Sequence, residues 1–95
     1  MGTKKVVINK CYGGFSLSDE ALDLYKQLTG TRPKFDGRDL DRDDPVLALV
    51  VEQLDAAADG DMADLGIVTI PDDVEWYVEE YDGREWVAEV HRTWR

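Results

Sequence analysis

Ninety-five residues, 43% of them hydrophobic, suffice for one domain with a single modest core and leave no room for a deep cleft between two domains. The formal net charge is −10, and residues 1–44 are neutral in sum, so the whole acidic excess falls on residues 45–95. That balance opposes direct binding to DNA or RNA, which rewards a basic surface through counterion release, while leaving open imitation of nucleic acid. One cysteine excludes an internal disulfide and fits a reducing cytosol. No apolar run has the length of a membrane span or the pattern of a signal peptide, so a cytoplasmic setting without a membrane is expected.

Residues 4–9 are β-branched and short, and the pair Gly13-Gly14 follows them, which predicts a first, well-buried strand. A helix then starts at Ser18, a good N-cap, with Asp19 and Glu20 favoured at its positive end and Leu17 placed to staple onto Leu22. Gly30 closes it, and Ala21, Leu22, Tyr25 and Leu28 form the expected buried stripe. Residues 31–44 mix charges around Pro33 and Gly37 with no helical or strand period. A loop of this length is unusual in a compact domain; it is either a lid, binding loop or subunit contact, or a solvated excursion.

Asp44-Pro45 reads as an N-cap followed by proline at the first helical position, and the second helix is expected to run through Ala58 to Gly60. Its face is Val46, Leu47, Val50, Val51 and Leu54, and its first turns are apolar nearly all round, which suggests burial between two surfaces. Residues 65–70 form a second strand, ended by Pro71. Residues 74–94 read as a hairpin folded at Asp82-Gly83, because glycine takes the positive φ of a type I′ turn without a Cβ clash; a type I turn with a G1 bulge is the alternative.

In the type I′ register Tyr81 faces Arg84 and Glu80 faces Glu85. One hairpin face then carries Val74, Trp76, Val78, Glu80, Glu85, Val87, Glu89 and His91. The other carries Glu75, Tyr77, Glu79, Tyr81, Arg84, Trp86, Ala88, Val90 and Arg92. Two like charges placed opposite each other are either solvated near the turn or share a partner, and solvation is the expected state. The order β-α-α-β-β-β predicts a single α+β domain: a four-stranded, mainly antiparallel sheet with two helices on one face, hairpin side chains filling the layer between them.

Two constellations bear on chemistry. Lys10, Cys11, Tyr12, Gly13, Gly14, Phe15 and Ser16 join the first strand to the first helix. Glycines that turn backbone N–H groups inward, a helix start, and flanking aromatic and basic residues suit a phosphate with a stacked base, although a plain tight turn is the commoner meaning of such a pair. The run lacks both the Walker A lysine and the third glycine of a dinucleotide fingerprint. At the other end, Arg84, Trp86, His91 and Arg92 supply guanidinium and aromatic groups for a clamp, or equally for salt bridges to Glu75 and Glu79. His91 is the only histidine. As an acid or base it would work with Tyr12, and a metal would need Glu80, Glu85 and Glu89 beside it; no metal or cofactor is expected.

Lys5-Val-Val-Ile-Asn-Lys-Cys-Tyr-Gly-Gly-Phe15, with Leu17, Ser18 and Ala21, then Ile70-Pro-Asp-Asp-Val-Glu-Trp76 and Glu80-Tyr-Asp-Gly-Arg-Glu-Trp-Val-Ala-Glu-Val-His-Arg-Thr-Trp94, resemble a family of small uncharacterised bacteriophage and prophage proteins. The resemblance covers both ends of the chain and leaves residues 31–44 outside it. It implies an accessory protein acting in the host cytoplasm. By analogy of class, such proteins counter host defence, including by sequestering nucleotide immune signals as homo-oligomers. The expectation is therefore a homo-oligomer that binds a small nucleotide-like ligand without cleaving it. A phosphodiesterase or hydrolase using His91, and an acidic decoy for a host nucleic-acid-binding protein, are the alternatives.

Overall fold

The computed structural model describes residues 2–38 and 40–90; His91 and Arg92 lie outside the described residues. The elements follow the expected order: β1 (Thr3–Asn9), α1 (Asp19–Thr29), α2 (Pro45–Leu54), a 3-10 turn (Asp55–Ala58), β2 (Leu65–Pro71), β3 (Trp76–Tyr81) and β4 (Arg84–Glu89). The α+β class holds. Ser18 caps α1 by accepting from the Ala21 N–H, and Gly30 ends it in the left-handed region at φ 87°. Asp44 caps α2 with Oδ1, which accepts from the Val46 N–H at 2.9 Å, while Oδ2 accepts from the Tyr25 hydroxyl at 2.6 Å, which ties α1 to the start of α2.

Two expectations about the helices are corrected. α2 stops at Leu54 rather than continuing to Ala58, because Asp55 takes a positive φ of 50° and the chain tightens into the 3-10 turn. The buried stripe of α1 is Ala21 and Leu22 with Leu24 and Tyr25 half-buried, while Leu28, in the last turn, is exposed.

The strands form two two-stranded antiparallel sheets, β1–β2 and β3–β4, in place of the single four-stranded sheet that the sequence predicts. The reason lies on the free edge of β1. In an antiparallel ladder alternate N–H groups point away from the partner strand, and in β1 those of Val7 and Asn9 already have acceptors. Val7 N–H donates to the Arg42 carbonyl at 2.8 Å and Asn9 N–H to Glu85 Oε1 at 3.0 Å. A loop carbonyl and a side-chain carboxylate thus cap the edge where a third strand would have paired.

The hairpin packs on the opposite face of β1–β2 from the helices, again differing from the expected arrangement. Val7, Leu65 and Ile67 join Leu22, Leu47, Val50 and Val51 in the helix-facing core. Val6, Ile8, Val68 and Ile70, the alternate residues, pack against Trp76, Val78 and Val87 of the hairpin. The molecule is therefore three layers, helices, central ribbon and hairpin. Each fully buried aliphatic of the central ribbon contributes about 1.5–3 kcal/mol.

The register of β3–β4 pairs Trp76 with Glu89, Val78 with Val87, Glu80 with Glu85 and Tyr81 with Arg84, as the type I′ turn requires. Asp82 and Gly83 both have positive φ, 53° and 91°. Glu85 is not solvated, however. Its carboxylate is buried and pairs with the half-buried Arg42 guanidinium, while Glu80 stays exposed and accepts from the Gly83 N–H. Glu85→Ala strips an acceptor from both Arg42 and the Asn9 N–H and is expected to cost about 3–5 kcal/mol. Glu80→Ala, directly across the ladder, is expected to cost about 1 kcal/mol. Urea unfolding of the two variants checks this, and equal midpoints would refute the assignment.

Candidate functional site

Three segments converge at one end of β1. The first is the turn that follows it. Asn9 is fully buried, and its Nδ2 donates to the Cys11 carbonyl at 2.7 Å and to the Gly83 carbonyl at 2.8 Å, while Oδ1 accepts from the Asp64 N–H at 2.8 Å. The glycine turn is thereby sewn to the hairpin turn. The close approach explains two of the glycines: a Cβ on Gly13 would collide with the Met62 carbonyl, and one on Gly83 would lie 2.5 Å from the Tyr12 carbonyl oxygen. Gly14 needs its glycine for a different reason, a φ of 94°, since a Cβ there meets nothing within 4 Å.

The second segment is the loop of residues 31–44. Gly37 sits against the Leu17 side chain, and the Leu17 N–H donates to the Asp36 carbonyl at 2.9 Å, which turns Asp36, Arg38 and Arg42 toward the glycine turn. Arg42 stacks over the Phe15 ring at 3.9 Å while its guanidinium holds Glu85. Arg38 binds Asp36 bidentately, Nε to Oδ1 and Nη2 to Oδ2, both at 2.8 Å. The third segment is the inner side of the hairpin, Val78, Glu80 and Glu85.

Between these segments and a fourth, the approach to β2, lies a cleft of about 690 Å³, lined by Gly13, Gly14, Phe15 and Ser16, by Asp36, Arg38 and Arg42, by Asp61 and Met62 of that approach, and by Val78, Glu80, Gly83 and Glu85. Its size suits one small molecule. Among the described residues nothing accepts from the Phe15 or Ser16 backbone N–H, and nothing pairs with the Asp61 carboxylate. Met62 at the rim and Phe35, next to Asp36, are both exposed and hold left-handed backbone at φ 65° and 54°. Such strain concentrates at ligand sites.

Of the residues singled out from sequence, Gly13, Gly14, Phe15 and Ser16 line the cleft. Lys10 is not among them: its side chain lies beside Gly66 of β2. Cys11 Sγ contacts the Met62 carbonyl at 3.0 Å, and the Tyr12 side chain is exposed. Arg84 and Trp86 stand on the outer face of the hairpin, away from the cleft, so the arginine-aromatic clamp and the glycine turn are not one site. The sequence reading missed Asp36, Arg38, Arg42 and Asp61. The signal that could have found Arg42 was the Glu80–Glu85 pair, which asks for a cation. Among the described residues no group of three or more His, Cys, Asp or Glu side chains could hold a metal, and no helix is long and apolar enough to cross a membrane. No family model, curated protein or solved structure matches the chain.

The Arg38 hydrogen bond holds the Asp36 carboxyl below the usual aspartate value, against an opposing push from partial burial. Because the folded-state pKa is depressed, the stabilisation from this pair is complete above the ordinary aspartate pKa and is lost as pH falls through the lowered one. Arg38→Gln is expected to return Asp36 to ordinary titration, followed by NMR of its carboxyl carbon; ordinary titration in the wild type would count against the pair. The two glycines separate by stability. Gly14→Ala is expected to cost about 1–3 kcal/mol of backbone strain. Gly13→Ala must displace the Met62 carbonyl and is expected to cost at least about 3 kcal/mol, and thermal unfolding of both variants measures the difference.

Proposed function

We propose that this chain is a non-catalytic binding protein whose cleft takes one small nucleotide-type ligand and withholds it intact. The observation that carries the reading is the convergence, in one cleft, of a glycine turn with backbone donors to spare, an exposed arginine, and a carboxylate without a protein partner. A nucleotide presents groups for each. Its phosphate suits the Phe15 and Ser16 N–H groups and Arg38, and its ribose hydroxyls or exocyclic amine suit Asp61.

Of the two guanidiniums, Arg38 is the one available to a ligand. Its pair with Asp36 is solvent-exposed on the arginine side, so redirecting it toward a phosphate costs little. Breaking the buried Arg42–Glu85 pair would cost about 3–5 kcal/mol, so Arg42 serves the fold and the floor of the cleft. The same lining favours holding over cleaving. Among the described lining residues Ser16 alone carries a hydroxyl, which donates to the Asp61 carbonyl at 3.2 Å, and none is a histidine, lysine or cysteine. The hydrolase alternative works through His91, which lies outside the described residues, with Tyr12, which is not in the described lining, or through carboxylates and a metal, for which no group of three or more ligands occurs among the described residues. The resemblance to phage-encoded proteins supplies a setting, sequestration of a nucleotide immune signal in the host.

The test is native mass spectrometry and calorimetry with cyclic mono- and dinucleotides and ADP-ribose-type nucleotides, followed by chromatography of the released ligand. One ligand per chain, recovered unchanged, is expected, with affinity falling at least tenfold in Arg38→Ala and in Gly14→Val. Wild-type affinity in both variants would dismiss the cleft, and a converted ligand would make the protein an enzyme.

A further inference from the structure

Among the described residues no element packs on the outer face of the hairpin. The alternation that turns Trp76, Val78 and Val87 onto the central ribbon turns Glu75, Tyr77, Glu79 and Tyr81 outward from β3 and its approach, and Arg84, Trp86, Ala88 and Val90 outward from β4 and its continuation. The Val90 N–H donates to the Glu75 carbonyl at 2.9 Å, which extends the ladder by one pair beyond Trp76–Glu89. Tyr77, Tyr81, Trp86 and Val90 are 44%, 69%, 41% and 46% exposed. Together they present on the order of 400 Å² of side chain on one small ribbon, the scale at which exposed patches mark an interaction site.

What this face fits is itself. Consider a two-fold axis in the plane of contact, perpendicular to the strands and midway between the Tyr77–Ala88 and Glu79–Trp86 pairs. It reverses the strand direction and lays each outer face on the other copy's. Trp86 then falls over the partner's Ala88, a large side chain over a small one, and the partner's Trp86 falls over Ala88 in return. At the ends, Arg84 falls over the partner's Val90, within reach of the partner's Glu75. Arg84 has no ion pair among the described residues. The operation does not set Glu79 against Glu79; it meets the partner's Tyr77. The Trp86–Ala88 packing and the Arg84–Glu75 pairing thus each occur twice under one operator. A nucleic acid stacked on the same rings would meet Glu75, Glu79 and a chain of net charge −10.

We propose that the outer face of β3–β4 is a homodimer interface, with Trp86 seated on Ala88 and Arg84 paired with Glu75 across the two-fold axis. The proposal is independent of the cleft, which opens on the other side of the hairpin. With the flanking charged residues included, the contact approaches the lower end of stable interfaces, so the dimer dissociates on dilution.

Sedimentation equilibrium over a range of about 1–300 µM is the test. A wild-type dimer is expected, together with a monomer for Trp86→Glu that keeps wild-type circular dichroism and, at a dilution where the wild type is itself monomeric, the wild-type melting temperature. Should Trp86→Glu fail to fold, Tyr77→Arg, at a position exposed in the same patch, asks the same question. Arg84→Glu and Glu75→Arg are each expected to weaken association at least tenfold, and their equimolar mixture to restore it as a heterodimer. A monomeric wild type across the range, a dimer that survives Trp86→Glu, or a mixture no tighter than either single variant would each overturn the proposal.

Discussion

One buried side chain, the amide of Asn9, decides where everything around it goes. Both of its N–H donors are used, on Cys11 and Gly83, and its oxygen takes the Asp64 N–H with the Cys11 thiol close by at 3.5 Å. An amide with no access to water must satisfy that whole set inside the protein. The only geometry that does so brings together the end of β1, the turn after it, the approach to β2 and the tip of the hairpin. An aliphatic residue there would leave a carbonyl on each of two turns and an N–H at the approach to β2 without their protein partner. The backbone N–H of the same residue enlists Glu85, and Glu85 enlists Arg42, so the loop of residues 31–44 is bound to the network as well.

That network explains why two ribbons exist instead of one sheet. Once Glu85 and the Arg42 carbonyl have taken the outward N–H groups of β1, the hairpin has no ladder to join there, and its apolar side is best buried by lying across the face of β1–β2. The cleft is the gap left where the hairpin tip, the glycine turn and the loop meet at different heights around Asn9. Gly13 and Gly83 are the contact points: without a Cβ at each, backbone can press on backbone, and the distance between turns is set by peptide atoms rather than by deformable side chains. A cleft walled this way is largely preformed.

What could be read in the sequence was local. Ser18, Gly30, Asp44-Pro45 and Asp82-Gly83 act within a few residues of themselves, through capping and turn chemistry, and each stands where its type requires. The hairpin register followed from its turn alone. The sheet count did not, because it rests on a carboxylate replacing a strand 76 residues away in the chain, and no periodicity encodes that. Nor could alternation tell which layer Trp76, Val78 and Val87 would meet; it shows that a face is buried, not against what. The glycine turn was legible as a tight backbone turn for the same local reason, whereas Arg84 and Trp86 were grouped with it on chemistry, and the pleat sends them the other way. Leu28 kept the helical spacing of a core residue, yet it sits in the last turn of α1, where the stripe ends in solvent.

The arginines show how a strongly acidic chain distributes its few cations. Arg42 is held by Glu85, Phe15 and the surrounding fold, and its position is fixed by structure. Arg38 rests on Asp36 at the surface and lines the same cleft as the glycine turn. Arg84 stands among aromatic rings on the far side of the hairpin, without an ion pair among the described residues. Burial grades them: the more deeply a guanidinium is enclosed, the more its removal costs and the less it can respond to anything outside. In a chain whose net charge repels anions at a distance, a site for an anionic group has to be local, made of backbone donors and one mobile cation. The glycine turn with Arg38 beside it is the place in the described structure where both occur together.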